Sequence, residues 1–192
     1  MNKTTVLAVL AAFLAPVIIA VLLNSEWFDW RPDSTRNHGE LLEPAVRLPE
    51  FELTTASGEA VTRETLDGQW QLLHYRASGC DEACMDAIYW MRQVRRAQDR
   101  HQPEVALMFV TPGELEQDVL DEIHGLADDY RVLTGDAGSE LSTAFPDAGL
   151  EAISYIIDPM GHIILRYPPE ADFNGMRRDL SRLLTWTQSG PE

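Results

Sequence analysis

Residues 70–84 read WQLLHYRASGCDEAC. The first part, Trp70–Ala77, is a strongly apolar run of strand length. Ser78-Gly79 breaks it, and the segment that follows carries the chain's two cysteines, Cys80 and Cys84. Downstream, Ala87, Ile88, Met91, Val94 and Ala97 recur at helical spacing, with Arg92, Arg95 and Arg96 on other faces, which predicts an amphipathic helix over Met85–Asp99. Cys80 therefore falls just past a strand end and Cys84 in the first turn of the next helix. A helix N-terminus offers unpaired N–H groups and a positive dipole end, both of which lower a thiol pKa. Asp81 and Glu82 act in the opposite sense. Two cysteines four apart can close a disulfide or hold one soft metal ion. As a structural staple such a short loop removes little chain entropy, so the pair reads as redox-active or metal-binding.

Working outward, Val105–Thr111 is a second apolar strand closed by Pro112-Gly113. Leu115, Val119, Ile123 and Leu126 mark a helix, Arg131–Leu133 a short strand, and Ser139–Phe145 a short helix. Ile153–Ile157 and Gly161–Tyr167 flank Asp158-Pro159-Met160-Gly161, a sequence suited to a type I turn. Phe173, Met176, Leu180, Leu183 and Leu184 give a terminal helix. Before Trp70, Phe51–Thr55 alternates, turns at Ser57-Gly58 and pairs back through Ala60–Thr62 as a small hairpin. Early β-α-β units followed by a late hairpin predict an α/β fold with a mixed sheet flanked by helices. With the cysteine pair between the first core strand and its helix, that order describes a thioredoxin-like fold.

The N-terminus is of another kind. Val6–Leu23 is 18 apolar residues without a charge, about the minimum for a bilayer core of ~30 Å. Lys3 precedes it and Glu26 and Asp29 follow, so residues 1–5 are expected in the cytoplasm and the rest outside. A cleaved signal peptide would have a shorter apolar region and a small-residue cleavage site, and Ala20-Val-Leu-Leu-Asn-Ser is a poor one. The expected organisation is a cytoplasmic N-terminus (1–5), one transmembrane helix (6–23), a proline-bearing tether (24–49) and a thioredoxin-like domain (50–188). The expected localisation is the inner (cytoplasmic) membrane, single-pass with the N-terminus inside and the soluble domain periplasmic or otherwise extracytoplasmic, in a compartment where thiols are redox-active.

The chain has 192 residues, 45% of them apolar, enough for one core. Its net charge is −16, and Lys3 is the only lysine among 15 basic residues. Such a surface repels phosphate backbones, so nucleic acid is excluded as a partner. There is no phosphate-binding glycine loop, no His-Glu-x-x-His and no Gly-x-Ser-x-Gly, which leaves nucleotide, zinc-protease and serine-hydrolase chemistry without support.

Residues 50–186 resemble the Sco/SenC family, membrane-anchored thioredoxin-fold proteins that help assemble the copper centre of cytochrome c oxidase. The resemblance is carried by the Phe51-x-Leu hairpin, by Cys80-x-x-x-Cys84 at the first core strand, and by Tyr155-Ile-Ile-Asp-Pro-Met-Gly161. Asn37-His-Gly-Glu-Leu41 resembles a segment found after the anchor in short members of the group. It implies Cys80 and Cys84 as copper ligands. The histidine that completes the family's ligand set would fall at Leu150, where this chain has none, and Asp81 stands where the family has proline. His74, in the first core strand, is the remaining candidate for a third ligand or a proton relay; His38, His162 and Met85 are weaker ones.

Three readings follow. Cys80 and Cys84 are the catalytic pair of a thiol–disulfide oxidoreductase whose client, by the resemblance, is an oxidase subunit or another assembly factor. Alternatively, the same thiols carry Cu(I) as a metallochaperone. Alternatively, the domain is a non-catalytic assembly scaffold.

Overall fold

The computed structural model describes residues 3–5, 10–16, 37–147 and 149–187. The chain divides into two units, Met1–Thr35 and Arg36–Glu192. In the first, residues 3–5 and 10–16 are helical. Most of the expected transmembrane segment lies outside the described residues, and among these no helix is long and apolar enough to cross a membrane.

The second unit is built on a six-stranded sheet. Its strands are β1 (Glu40–Arg47), β4 (Trp70–Arg76), β5 (Val105–Val110), β6 (Arg131–Leu133), β7 (Ala152–Ile157) and β8 (His162–Tyr167), in spatial order β1-β8-β7-β4-β5-β6. β4, β5 and β6 run parallel, whereas β7, β8 and β1 add antiparallel pairings. The separate hairpin β2 (Glu52–Thr54) and β3 (Ala60–Thr62) forms as the alternation predicts. The helices are α1 (Arg63–Leu66), α2 (Glu82–Arg96), α3 (Gln117–Leu126), α4 (Gly135–Ser142) and α5 (Phe173–Thr187), with a 3₁₀ turn at Asp99–Glu104. The mixed sheet with flanking helices is the expected α/β architecture.

β5 and β7 are buried along their whole lengths and β4 from Trp70 to Tyr75, because each side of the sheet has its own core. On one side Trp70, Leu72, Leu107 and Phe109 pack with Ile88 and Met91 of α2 and Leu180 of α5. On the other, Leu73, Tyr75, Met108 and Val110 pack with Val61 of the hairpin and Leu141 of α4. Period-2 alternation along β4 therefore sends Leu72 and His74 toward α2, and Leu73 and Tyr75 away from it.

Three expected boundaries move. Glu40–Arg47, read as tether, is the edge strand β1, paired antiparallel with β8. Its side chains are mostly exposed, so it carries no alternation for a sequence reading to find. Pro44 is tolerated because β1 is an edge, and the register shifts between Leu41 and Val46. The helix expected at Met85 starts at Glu82, because Asp81 caps it, and it ends at Arg96 rather than Asp99. Asp99 itself has φ 53°, outside helical space. The helix expected at Ser139–Phe145 is α4, Gly135–Ser142. There a side chain at Gly138 would overlap the Thr111 carbonyl, so α4 approaches β5 through a small residue rather than an apolar stripe.

The turn at 158–161 forms as expected. The Gly161 N–H donates to the Asp158 carbonyl at 3.0 Å, and Asp158 Oδ1 accepts from the N–H groups of Met160 and His162 at 2.9 and 2.8 Å.

Candidate functional site

Cys80 and Cys84 are joined as a disulfide, with Cα atoms 5.2 Å apart. The strand-turn-helix geometry causes the approach. β4 ends at Arg76, Gly79 turns the chain with φ 53°, and Asp81 starts α2. The Asp81 carboxylate accepts a hydrogen bond from the Cys84 N–H at 3.0 Å, an N-cap that fixes Cys84 in the first helical turn. The two sulfur-bearing residues differ in exposure: Cys84 is 1% exposed and packs in the core, while Cys80 is half-buried at its edge.

Asp81 is not the free carboxylate that its neighbourhood in sequence suggests. The Cys84 amide, then Arg76, holds it below the usual carboxylate range. Arg76 Nη2 donates to Asp81 at 2.7 Å and to Glu151 at 3.2 Å. Arg76 and Glu151 are thus site residues that sequence reasoning missed. The signal for Arg76 was a charge closing an otherwise apolar strand. Glu151 carried none, since it comes from the loop before β7, whose carbonyl accepts the Ala77 N–H at 2.9 Å. The loop after β5 completes the surroundings. A side chain on Gly113 would overlap the backbone of Gly79, so this glycine is what lets the two loops touch.

His74 lies on the α2 side of the sheet, 4% exposed. Its Nδ1 shares a hydrogen bond of 2.9 Å with Ser154 Oγ, and its ring stacks on Phe109 at 5.9 Å. Nε2 is buried without a hydrogen-bond partner among the described residues. Burial, then the Arg76 charge, pushes its pKa down to about 4. The imidazole is therefore neutral at pH 7. An unfolded chain takes up this proton near pH 6.5 and the folded one only near 4, so stability is full above pH 6.5 and falls as pH drops from 6.5 to 4, by about 3 kcal/mol. Urea midpoints measured across that window are expected to show the decline, and His74→Phe to flatten it.

The other candidates lie elsewhere. His38 is engaged with Asp179 of α5 at 3.2 Å. His162 pairs with Asp158 in the turn, beside the Gln71 end of β4 rather than the Arg76 end. Met85 is half-buried against the α2 core. Among the described residues no group of three or more His, Cys, Asp or Glu is placed to hold a metal ion. Leu150, where the family histidine would fall, is 45% exposed.

Residues 70–187 match the sequence family described as transmembrane-like, thioredoxin-like, C-terminal domain. The chain belongs to this family. No curated protein matches it. Among solved structures it is similar to apo Sco1 from Thermus thermophilus, with 17% identity and TM-score 0.61, covering 80% of this chain and 99% of that one. Yeast Sco1 with copper bound matches with 17% identity and TM-score 0.59 over 73% of this chain and 93% of that one. BsSco, a Sco-family cytochrome c oxidase assembly protein with an identified disulfide switch, matches with 16% identity and TM-score 0.56 over 76% and 98%. The Sco/SenC resemblance read from the hairpins and the cysteine pair thus extends to the fold. Among the described residues, no third His, Cys, Asp or Glu is placed with Cys80 and Cys84 to hold a metal ion.

Proposed function

We propose that the chain is a membrane-anchored, extracytoplasmic thiol–disulfide exchange protein acting in assembly of the cytochrome c oxidase copper site. The observation that carries the reading is the unequal burial of a bonded cysteine pair at a helix N-terminus, with Cys80 reachable and Cys84 sealed. In the reduced protein the Cys80 thiolate attacks a client disulfide, and the client's leaving sulfur departs as a thiolate. Cys84 then attacks Cys80 Sγ, the mixed disulfide breaks, and the second client sulfur leaves reduced. Two electrons pass to the client and the Cys80–Cys84 bond forms. The assignment to oxidase assembly is supported by the fold shared with Sco proteins. The anchor is supported by the apolar run Val6–Leu23, and alkaline extraction that leaves the full chain in the membrane pellet tests it.

Redox titration of the full chain in detergent against glutathione tests the chemistry. A midpoint between about −300 and −180 mV is expected for an exchanging pair. A midpoint well below about −300 mV identifies an inert structural bridge and overturns the proposal.

A further inference from the structure

Three segments converge on the disulfide, and their charges are strongly unequal. The first is the end of β4 with the start of α2, residues 76–86. The second is the loop after β5, residues 112–116, which touches the first where Gly113 meets Gly79. The third is the approach to β7, residues 149–152, bound to the first through Arg76–Glu151 and through the Ala77 N–H to the Glu151 carbonyl. Together they carry six acidic residues, Asp81, Glu82, Asp86, Glu114, Glu116 and Glu151; the Glu114 carboxylate packs against Gly135 at the start of α4, so Asp81, Glu82, Asp86 and Glu151 are the acids on the two segments joined through Arg76 beside the disulfide. Arg76 is their single cation, and it is already engaged by two of these acids. Glu82 and Asp86 are exposed on α2, and the Glu151 side chain is 76% exposed.

Any thiol that reaches Cys80 must therefore approach through a negative field. We infer that this rim selects clients whose reacting cysteine is flanked by Lys or Arg, and that Glu82 and Glu151 are specificity-determining residues. The inference rests on the exchange reading above and adds the charge class of its client. The disulfide is the site; the acids around it grade who reaches it. The same encounter can be followed in reverse on the oxidised protein: a thiolate attacks Cys80 Sγ, the Cys80–Cys84 bond breaks, and Cys84 departs as a thiolate, leaving a mixed disulfide on Cys80, so the protein's own disulfide is the only oxidant this direction needs. An anionic client is held away from this encounter, while a cationic one is concentrated at it. The selection acts on the second-order rate and weakens as salt screens the rim.

The test uses the oxidised full chain in neutral detergent and three capped tripeptides, Lys-Cys-Lys, Gly-Cys-Gly and Glu-Cys-Glu. Rate constants are normalised to thiolate concentration, because flanking charge also shifts a thiol's pKa. At about 20 mM ionic strength Lys-Cys-Lys is expected to react roughly 30-fold faster than Glu-Cys-Glu, with Gly-Cys-Gly between. At about 0.5 M salt the spread is expected to fall to about twofold. The double variant Glu82→Gln, Glu151→Gln is expected to lose most of the low-salt spread. Glu52→Gln with Glu64→Gln, which removes two acids from β2 and α1, is expected to keep it. Equal rates for the three peptides at low salt overturn the charge inference and leave exchange standing. A spread that survives in the Glu82, Glu151 variant overturns its assignment to the rim. If no peptide opens the disulfide, the exchange reading itself fails and the inference falls with it.

Discussion

Cys84→Ser is expected to accumulate covalent adducts with client proteins, while Cys80→Ser forms none. The asymmetry follows from burial. Cys80 is half-buried at the rim, so its thiolate can meet a client sulfur, whereas Cys84 is 1% exposed and reaches only Cys80. In Cys84→Ser the first attack proceeds as before, and the resulting mixed disulfide has no internal thiol to resolve it. Bands that are sensitive to reductant should rise on non-reducing gels by roughly tenfold or more over the unsubstituted chain, because resolution then waits for an outside thiol. Both variants are expected to lose oxidase copper-site assembly. Adducts on Cys80→Ser but not on Cys84→Ser would reverse the assignment of roles. Normal oxidase assembly with both variants would leave only a scaffold.

That pairing could be read in advance because it depends on local sequence. β4, β5 and β7 are buried on both faces, so their residues form continuous apolar runs. Ser78-Gly79 had to turn, and the turn at Asp158–Gly161 carries its own residue types. Elements fixed by distant partners were not legible. Pro44 and the exposed side chains of β1 give no pattern, and the strand exists because β8 offers it backbone partners and α5 holds its beginning. α4 has Gly135 and Gly138 where a helix stripe would show apolar residues, since contact with the Thr111 carbonyl demands a small residue there. The same limit applied at the site. Cys80 and Cys84 stood out by spacing, but the Arg76–Glu151 contact links residues 75 positions apart and depends on the antiparallel register of β4 and β7. The cap role of Asp81 was hidden behind its charge. Read only as an anion, it seemed to oppose a thiolate; in place, it spends that charge on the Cys84 amide and on Arg76.

Asp179→Ala is expected to cost about 4 kcal/mol, the typical penalty for stripping a buried carboxylate from its partners. The Asp179 side chain is fully buried in α5. Its Oδ2 accepts from the His38 N–H at 2.7 Å, the Gly39 N–H at 2.9 Å and the Tyr167 hydroxyl at 2.9 Å. His38 Nδ1 at 3.2 Å adds a further hydrogen-bond partner and Arg182 at 3.7 Å a positive charge. Burial, and then the adjacent Asp179 charge, push the Tyr167 phenol well above its ordinary pKa, so it stays a donor. The segment packs as tightly as it bonds. A side chain on Gly39 would overlap the Tyr167 ring, and one on Gly175 would overlap His38. Asn37 completes the clasp by accepting from Arg182 at 3.1 Å. The Asn37-His-Gly stretch is thus a clasp that fastens the entering chain to α5 and sets β1 against β8. Without Asp179, two backbone N–H groups and a phenol lose their acceptor together. The midpoint temperature is expected to drop by roughly 8–16 °C for a domain of this size. Amide hydrogens of residues 40–47 should lose exchange protection before those of β4 and β5, because β1 is released first. Asp179→Asn, which keeps one carbonyl acceptor, is expected to recover part of the loss, and Tyr167→Phe to cost only about 1 kcal/mol. A loss below about 1 kcal/mol for Asp179→Ala, or uniform protection across the sheet, would show that β1 is held by its pairing with β8 alone.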